Sequence, residues 1–246
     1  WQGNHKLTMA EDGWETVAPS AMQYKDDEAQ PPRELNIEGI QQVINDFKSA
    51  ARRAHEAGYK VLELHAAHGY LIHQFLSPLS NRRTDEYGGS FESRIRFLLE
   101  IIEAVQQEWP NDLPLFVRIS GTDWAEGGWN IEESVQLAAI LKTKGVDVID
   151  CSSGGLVPHQ KIPEGPNYQV FIADRIKNET GIHTGAVGLI TEAQQAEEIL
   201  ANGQADLIFF ARQALRDPNI ALTFANELDA EALWPKQYER AKPRKH

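Results

Sequence analysis

The stretch "KVLELHAAHGY", residues 60–70, decides the fold of this chain. Its first half is short, mostly apolar and bounded by Gly58, as a strand would be. It closes on two imidazoles three positions apart, His65 and His68, with Gly69 and Tyr70 behind them. Upstream, Asn36 can cap a helix in which Ile40, Val43, Ile44, Phe47, Ala50, Ala51 and Ala54 recur at helical spacing until Gly58 stops it. The same unit, a helix followed by a short strand that ends in chemistry, returns four times. Helices near residues 92–108, 131–143, 170–178 and 192–201 precede "LPLFVRIS", "VDVIDCSS", "IHTGAVG" and "ADLIFFAR". Five strands are therefore expected, at about 61–65, 115–119, 146–151, 183–187 and 206–210.

These strands are apolar at nearly every position, as in a parallel sheet covered by helices. The fold class is α/β, either an open doubly wound sheet or a closed barrel. Nearly every strand ends in a functional type: His65, Arg118 with Ser120, Cys151 to Gly155, Gly185 to Gly188, and Ala211 with Arg212. A barrel gathers strand ends from a whole ring into one site, whereas an open sheet concentrates its site at one crevice. The pattern predicts a (β/α)8 TIM barrel of which five strands are visible, so the chain is expected to be the C-terminal part of a longer one. The segment from Leu64 to Arg94 reads as a strand end followed by a long irregular connection, and residues 1–35 as an extended loop with short strands near "TVAPSAMQY".

With 36 acidic and 24 basic side chains the net charge is -12, which disfavours a polyanionic partner such as nucleic acid. The single cysteine, Cys151, leaves no internal disulfide framework and no cysteine-rich metal cluster, and points to a reducing compartment. Nothing activates its thiol, so it reads as a small buried hydrophobe. No apolar run reaches membrane-helix length and no secretory leader is visible, so a cytoplasmic chain without a membrane partner is expected.

No dinucleotide fingerprint or Walker loop follows a strand. Gly154-Gly155 and Gly185-x-x-Gly188 would each pass for an ordinary turn. Following consecutive strands, and close to Arg212, they match the phosphate site that barrels build from their last strand loops. His65 and His68 admit three readings: metal ligands lacking an evident third partner, a structural pair, or two donors to one developing oxyanion.

The run His65-x-x-His68-Gly69-Tyr70-Leu71, continued by "FLSPLSNRRTDEYGGSFESRIRFLLEII" from Phe75, resembles the signature of the Old Yellow Enzyme family of flavin-dependent ene-reductases. His68, with "GWETVAPSA" before it, is most similar to the bacterial, thermophilic-like branch. The likeness continues through "FVRIS", "CSSGG", "GAVGLI", "ADLIFFARQALRDP" and "QYER". It implies that the visible strands are the fourth to eighth of the barrel. Residues 1–35 would then be the loop after the third strand, and residues 36–246 the remaining helices and five strands of one domain.

The resemblance also implies the chemistry. FMN would pass hydride from NADPH or NADH, through its N5, to the β carbon of an α,β-unsaturated carbonyl or nitro compound. His65 and His68 would hold the activating oxygen, and would bind phenols as phenolates. Tyr70 or water would protonate the α carbon, and Arg118 would lie against the flavin pyrimidine. Gly155, Gly188 and Arg212 would hold the cofactor phosphate with Ser153 and Ala211 as neighbours, Gly154, Ala186 and Val187 would also bind the cofactor, and no metal would be involved. Arg240, in "QYER", would reach the active site of a neighbouring subunit in a homo-oligomer, a dimer at least. The alternative is a flavin-binding or interaction fragment of the family that is catalytically incomplete.

Overall fold

A computed structural model of the chain describes residues 7–25 and 30–243. A short 3₁₀ turn (Met9–Glu11) leads to β1 (Val17–Ala18) and β2 (Arg33–Glu34), which pair with each other. Then follow α1 (Ile37–Glu56), β3 (Leu62–Ala66), α2 (Leu71–Leu76), α3 (Phe91–Val105), β4 (Leu115–Ser120), α4 (Ile131–Thr143) and β5 (Val148–Ser152). The series ends with α5 (Val170–Thr180), β6 (His183–Ala186), α6 (Ala193–Ala201), β7 (Leu207–Ile208), α7 (Arg212–Arg216), α8 (Ile220–Glu227) and a 3₁₀ turn at Lys236–Ala241.

Strands β3 to β7 form one parallel sheet in sequence order, each joined to the next by a helical crossover. This consecutive order, without a switch point, is an arc of a TIM barrel rather than a doubly wound sheet. The register places His65, Arg118, Asp150, Gly185 and Leu207 in one transverse row. Side chains alternate across a strand, so the positions between them point the other way. Leu64, Val117, Ile149 and Thr184 are buried there beneath the helices, against a core that includes Ile40, Phe97, Leu98, Ile101, Leu137, Leu141, Ile172 and Ile176. One face of the sheet is thus the hydrophobic core, and the other carries the polar groups of the site.

Local sequence explains the helix starts. The Asn36 side chain accepts the Gly39 N–H at 2.9 Å, and Ser90 caps α3 through Ser93 N–H. Asn130 and Glu133 form a reciprocal capping box on α4.

Two expectations need correction. The connection after His68 is not irregular throughout, because α2 lies inside it and buries Ile72, Phe75 and Leu76. Six residues are too short for a 3.6-residue period to be legible. The last strand is only Leu207–Ile208, and Phe209 and Phe210 continue outside it until Ala211 leaves the extended region and α7 begins. Among the described residues no helix is long and apolar enough to cross a membrane.

Candidate active site

The loop after β3 is held in an uncommon backbone shape. His68 has φ +58° and Gly69 φ +73°, and a left-handed non-glycine residue costs on the order of 1–3 kcal/mol. Contacts on every side offset that cost. His68 N–H donates to Ser120 Oγ at 2.9 Å, and Ser120 Oγ–H donates to the Gly154 carbonyl at 2.8 Å. Gly69 N–H donates to His73 Nδ1 at 2.9 Å, while Gln74 Nε2 donates to the Gly69 carbonyl at 2.7 Å. The backbones themselves touch: a Cβ on Gly69 would come 2.3 Å from the Gly155 oxygen, and one on Gly155 2.6 Å from His68 Cα.

This shape gathers the three predicted catalytic groups. The His65 and His68 rings are 5.2 Å apart between centroids, and His65 and Tyr70 5.4 Å. Tyr70 is 63% exposed at the mouth. His68 Nε2 pairs with Ser152 Oγ at 2.6 Å, which leaves Nδ1 for another partner. Burial, helped by the Arg118 guanidinium and the His65 and His73 rings, pushes His68 down to about 4. Burial first, then Arg118 and His73, lowers His65 as well. Both imidazoles are therefore neutral at pH 7, and His68 can offer its Nδ1–H to a ligand oxygen in the tautomer whose Nε2 accepts from Ser152 Oγ–H.

Beside them Arg118 Nε stands 3.1 Å from Asp150 Oδ2. That is an ion-pair distance, yet Arg118 Nε and Asp150 Oδ1 are both buried without a hydrogen-bond partner. The two observations are compatible: the charges attract, but the N–H does not point at the carboxylate. Burial pushes Asp150 up to about 7, with Arg118 opposing and Glu63 adding to the rise.

The glycine sites differ from one another. Gly154 N–H donates to the Thr122 carbonyl at 2.8 Å and Gly155 N–H to Gln160 Oε1 at 2.7 Å, so both amides are engaged within the chain. Gly188, at φ +124°, lies against Tyr168 and Gln169, and its N–H has no partner among the described residues. Ser153 Oγ–H donates to Gln169 Oε1 at 2.5 Å, and Gln169 Nε2 donates to the Val187 carbonyl at 2.9 Å. The Ala186 carbonyl accepts Phe209 N–H at 2.9 Å. Ala211 caps α7, and exposed Arg212 opens it with no ion pair among the described residues. Burial raises the Tyr168 phenol, Glu164 adds to this, and Arg212 opposes it. Gly188 and Arg212 thus flank Tyr168. Arg240 is exposed on the terminal 3₁₀ turn. Gln169 and His73 were not singled out from the sequence, and Ser152 only as part of the strand end Cys151 to Gly155.

Residues 1–231 match the model of the NADH:flavin oxidoreductase / NADH oxidase family. The chain belongs to this family. It is 52% identical over 236 residues to the NADPH dehydrogenase of Bacillus subtilis (strain 168), covering 96% of this chain and 69% of that protein. The NADPH dehydrogenase of Listeria innocua serovar 6a is 52% identical over 227 residues, 92% of this chain and 66% of its own length. Among solved structures, 2-naphthoyl-CoA reductase in complex with 2-naphthoyl-CoA superposes with a TM-score of 0.81 at 31% identity, covering 87% of this chain and 33% of that one. Morphinone reductase in complex with tetrahydroNAD gives 0.71 at 27% identity, over 92% and 62%.

The family works with FMN and NAD(P)H, and the residues here fit such a cofactor. Buried Arg118 Nε is a positive donor lacking a hydrogen-bond partner, and Gly188 N–H with Arg212 suits a phosphate.

Proposed function

We propose that the protein to which this chain belongs is an ene-reductase acting on α,β-unsaturated carbonyl or nitro compounds. The observation that carries this reading is the meeting of two neutral imidazoles, a phenol and a guanidinium at adjoining ends of β3 and β4. Relatives named NADPH dehydrogenase support the reduced-nicotinamide side.

Bound FMN supplies the hydride relay, accepting from NAD(P)H and giving to the alkene. His65 and His68 present N–H groups to the activating oxygen, drawing electron density away from the β carbon. Being neutral, they hold that oxygen without neutralising it in the ground state, so the bond strengthens as negative charge develops. Tyr70 donates its phenol proton to the α carbon. Arg118 would place its fixed positive charge against the cofactor pyrimidine, and Gly188 N–H with Arg212 would hold the phosphate end, on a loop that Gln169 fixes through Ser153 and the Val187 carbonyl. In this reading the five strands are the fourth to eighth of a single barrel domain, and Arg240 serves a neighbouring subunit.

The test is an anaerobic titration of the flavin-loaded protein. NADPH should bleach the flavin, and cyclohexenone should then restore its colour with one saturated ketone formed per flavin. Bleaching without recovery on any activated alkene would leave a nicotinamide dehydrogenase with a different acceptor.

A further inference from the structure

Behind the catalytic loop sits a buried pair whose arrangement determines its protonation. His73, on α2, and Asp123, after β4, are both fully enclosed, and His73 Nε2 lies 2.9 Å from Asp123 Oδ1. A backbone amide can only donate, so the Gly69 N–H aimed at His73 Nδ1 requires an unprotonated nitrogen there. The ring's proton is then on Nε2, donated to Asp123. Two further groups pin the carboxylate: Ser77 Oγ–H donates to Oδ2 at 2.6 Å and Trp129 N–H at 2.7 Å. Trp129 in turn is fixed through Nε1–H to Ser134 Oγ at 2.7 Å. Three donors on one buried carboxylate leave the imidazole little freedom to turn.

We propose that Asp123 and His73 are positioning residues for the substrate loop: Asp123 sets the His73 tautomer, and His73 Nδ1 holds the Gly69 amide that carries His68 and Tyr70. The inference rests on the reading of His65, His68 and Tyr70 as the substrate site. It explains why a residue with φ +58° directly precedes a glycine whose N–H and C=O are both bound by α2 side chains. Neither peptide flanking Gly69 can rotate without breaking a bond to His73 or Gln74, so the His68 ring is presented in one pose.

Two isosteres separate positioning from mere packing. In His73→Asn the amide oxygen replaces Nδ1 and can still accept the Gly69 N–H. In His73→Gln the amide nitrogen replaces Nε2 and can still meet Asp123, but nothing accepts from Gly69. In the whole flavin-loaded enzyme, 4-hydroxybenzaldehyde binding is followed by its long-wavelength absorbance. His73→Asn should bind within about threefold of the parent and His73→Gln at least about tenfold more weakly, the range expected when a supporting hydrogen bond is lost. Unchanged binding in His73→Gln, or equal losses in both variants, overturns the proposal. A His68→Ala control that binds the phenol normally would show instead that the site reading is wrong, and the proposal falls with it. Should either variant fail to fold, nitrogen NMR of the unaltered enzyme decides. An Nε2–H tautomer for His73 supports the assignment, and an Nδ1–H tautomer overturns it.

Discussion

Arg118 and Asp150 face each other across the β4–β5 register, 3.1 Å apart, with the carboxylate almost wholly buried. Folding lifts Asp150 from 3.8 to about 7, so the native state holds this proton more tightly than the unfolded chain does. The resulting stabilisation is complete below 3.8 and is lost as pH rises through about 7. Asp150→Asn removes the titration. Urea unfolding at about pH 5 and about pH 8 should show the parent losing at least about 1 kcal/mol relative to Asp150→Asn on going alkaline. An equal difference at both pH values would contradict the assignment.

His68 behaves in the opposite sense. Its folded value is lowered from 6.5 to about 4, so its neutral form contributes stability above 6.5 that is lost as pH falls toward about 4. The His68 ring resonances, assigned by their loss in His68→Gln, should therefore stay fixed between about pH 8 and about pH 5.5. A titration centred near 6.5 would mean that the ring is solvated and not seated on Ser152.

Gly155→Ala tests the backbone contact. Its Cβ would meet His68 Cα at 2.6 Å with φ at +91°. Gly203 has φ +71° and nothing within 4 Å, so Gly203→Ala carries the conformational cost alone. Gly203→Ala should cost about 1 kcal/mol and leave enone turnover intact, whereas Gly155→Ala should cost about 1–3 kcal/mol more and depress kcat/KM. Matching stabilities would show that the loop yields to the added methyl.

Tyr70→Phe removes a proton donor at a largely exposed position. Alkene reduction should slow by about 10² or more, the usual contribution of a positioned acid, while unfolding and flavin content stay unchanged. A rate within a factor of about two would pass the proton to water.

The architecture was legible because its signals repeat. Each of the five predicted strands overlaps an observed one, since branched apolar runs between capped helices leave few alternatives. His65, His68, Tyr70 and Arg118 were legible by type and by position at strand ends. Gln169 was not: a glutamine at a helix start carries no signal until the fold brings Ser153 and Val187 to it. Asp123 and His73 are 50 residues apart and become a pair only through the β3–β4 register. Gly154 and Gly155 share the look of phosphate-loop glycines, but a composition cannot tell an amide kept for a ligand from one already bonded to Thr122 or Gln160.

The contact between Gly155 and the His68 backbone also bears on how this mouth could be altered by mutagenesis. Positions 69 and 155 have no room for a Cβ, so a library varying either of them samples mostly broken loops. Diversity is better placed on half-exposed Trp124, which lies against Gly154, with the Tyr70 phenol kept. Variation at this site is therefore best confined to side chains, with the glycine contact beneath the loop left untouched.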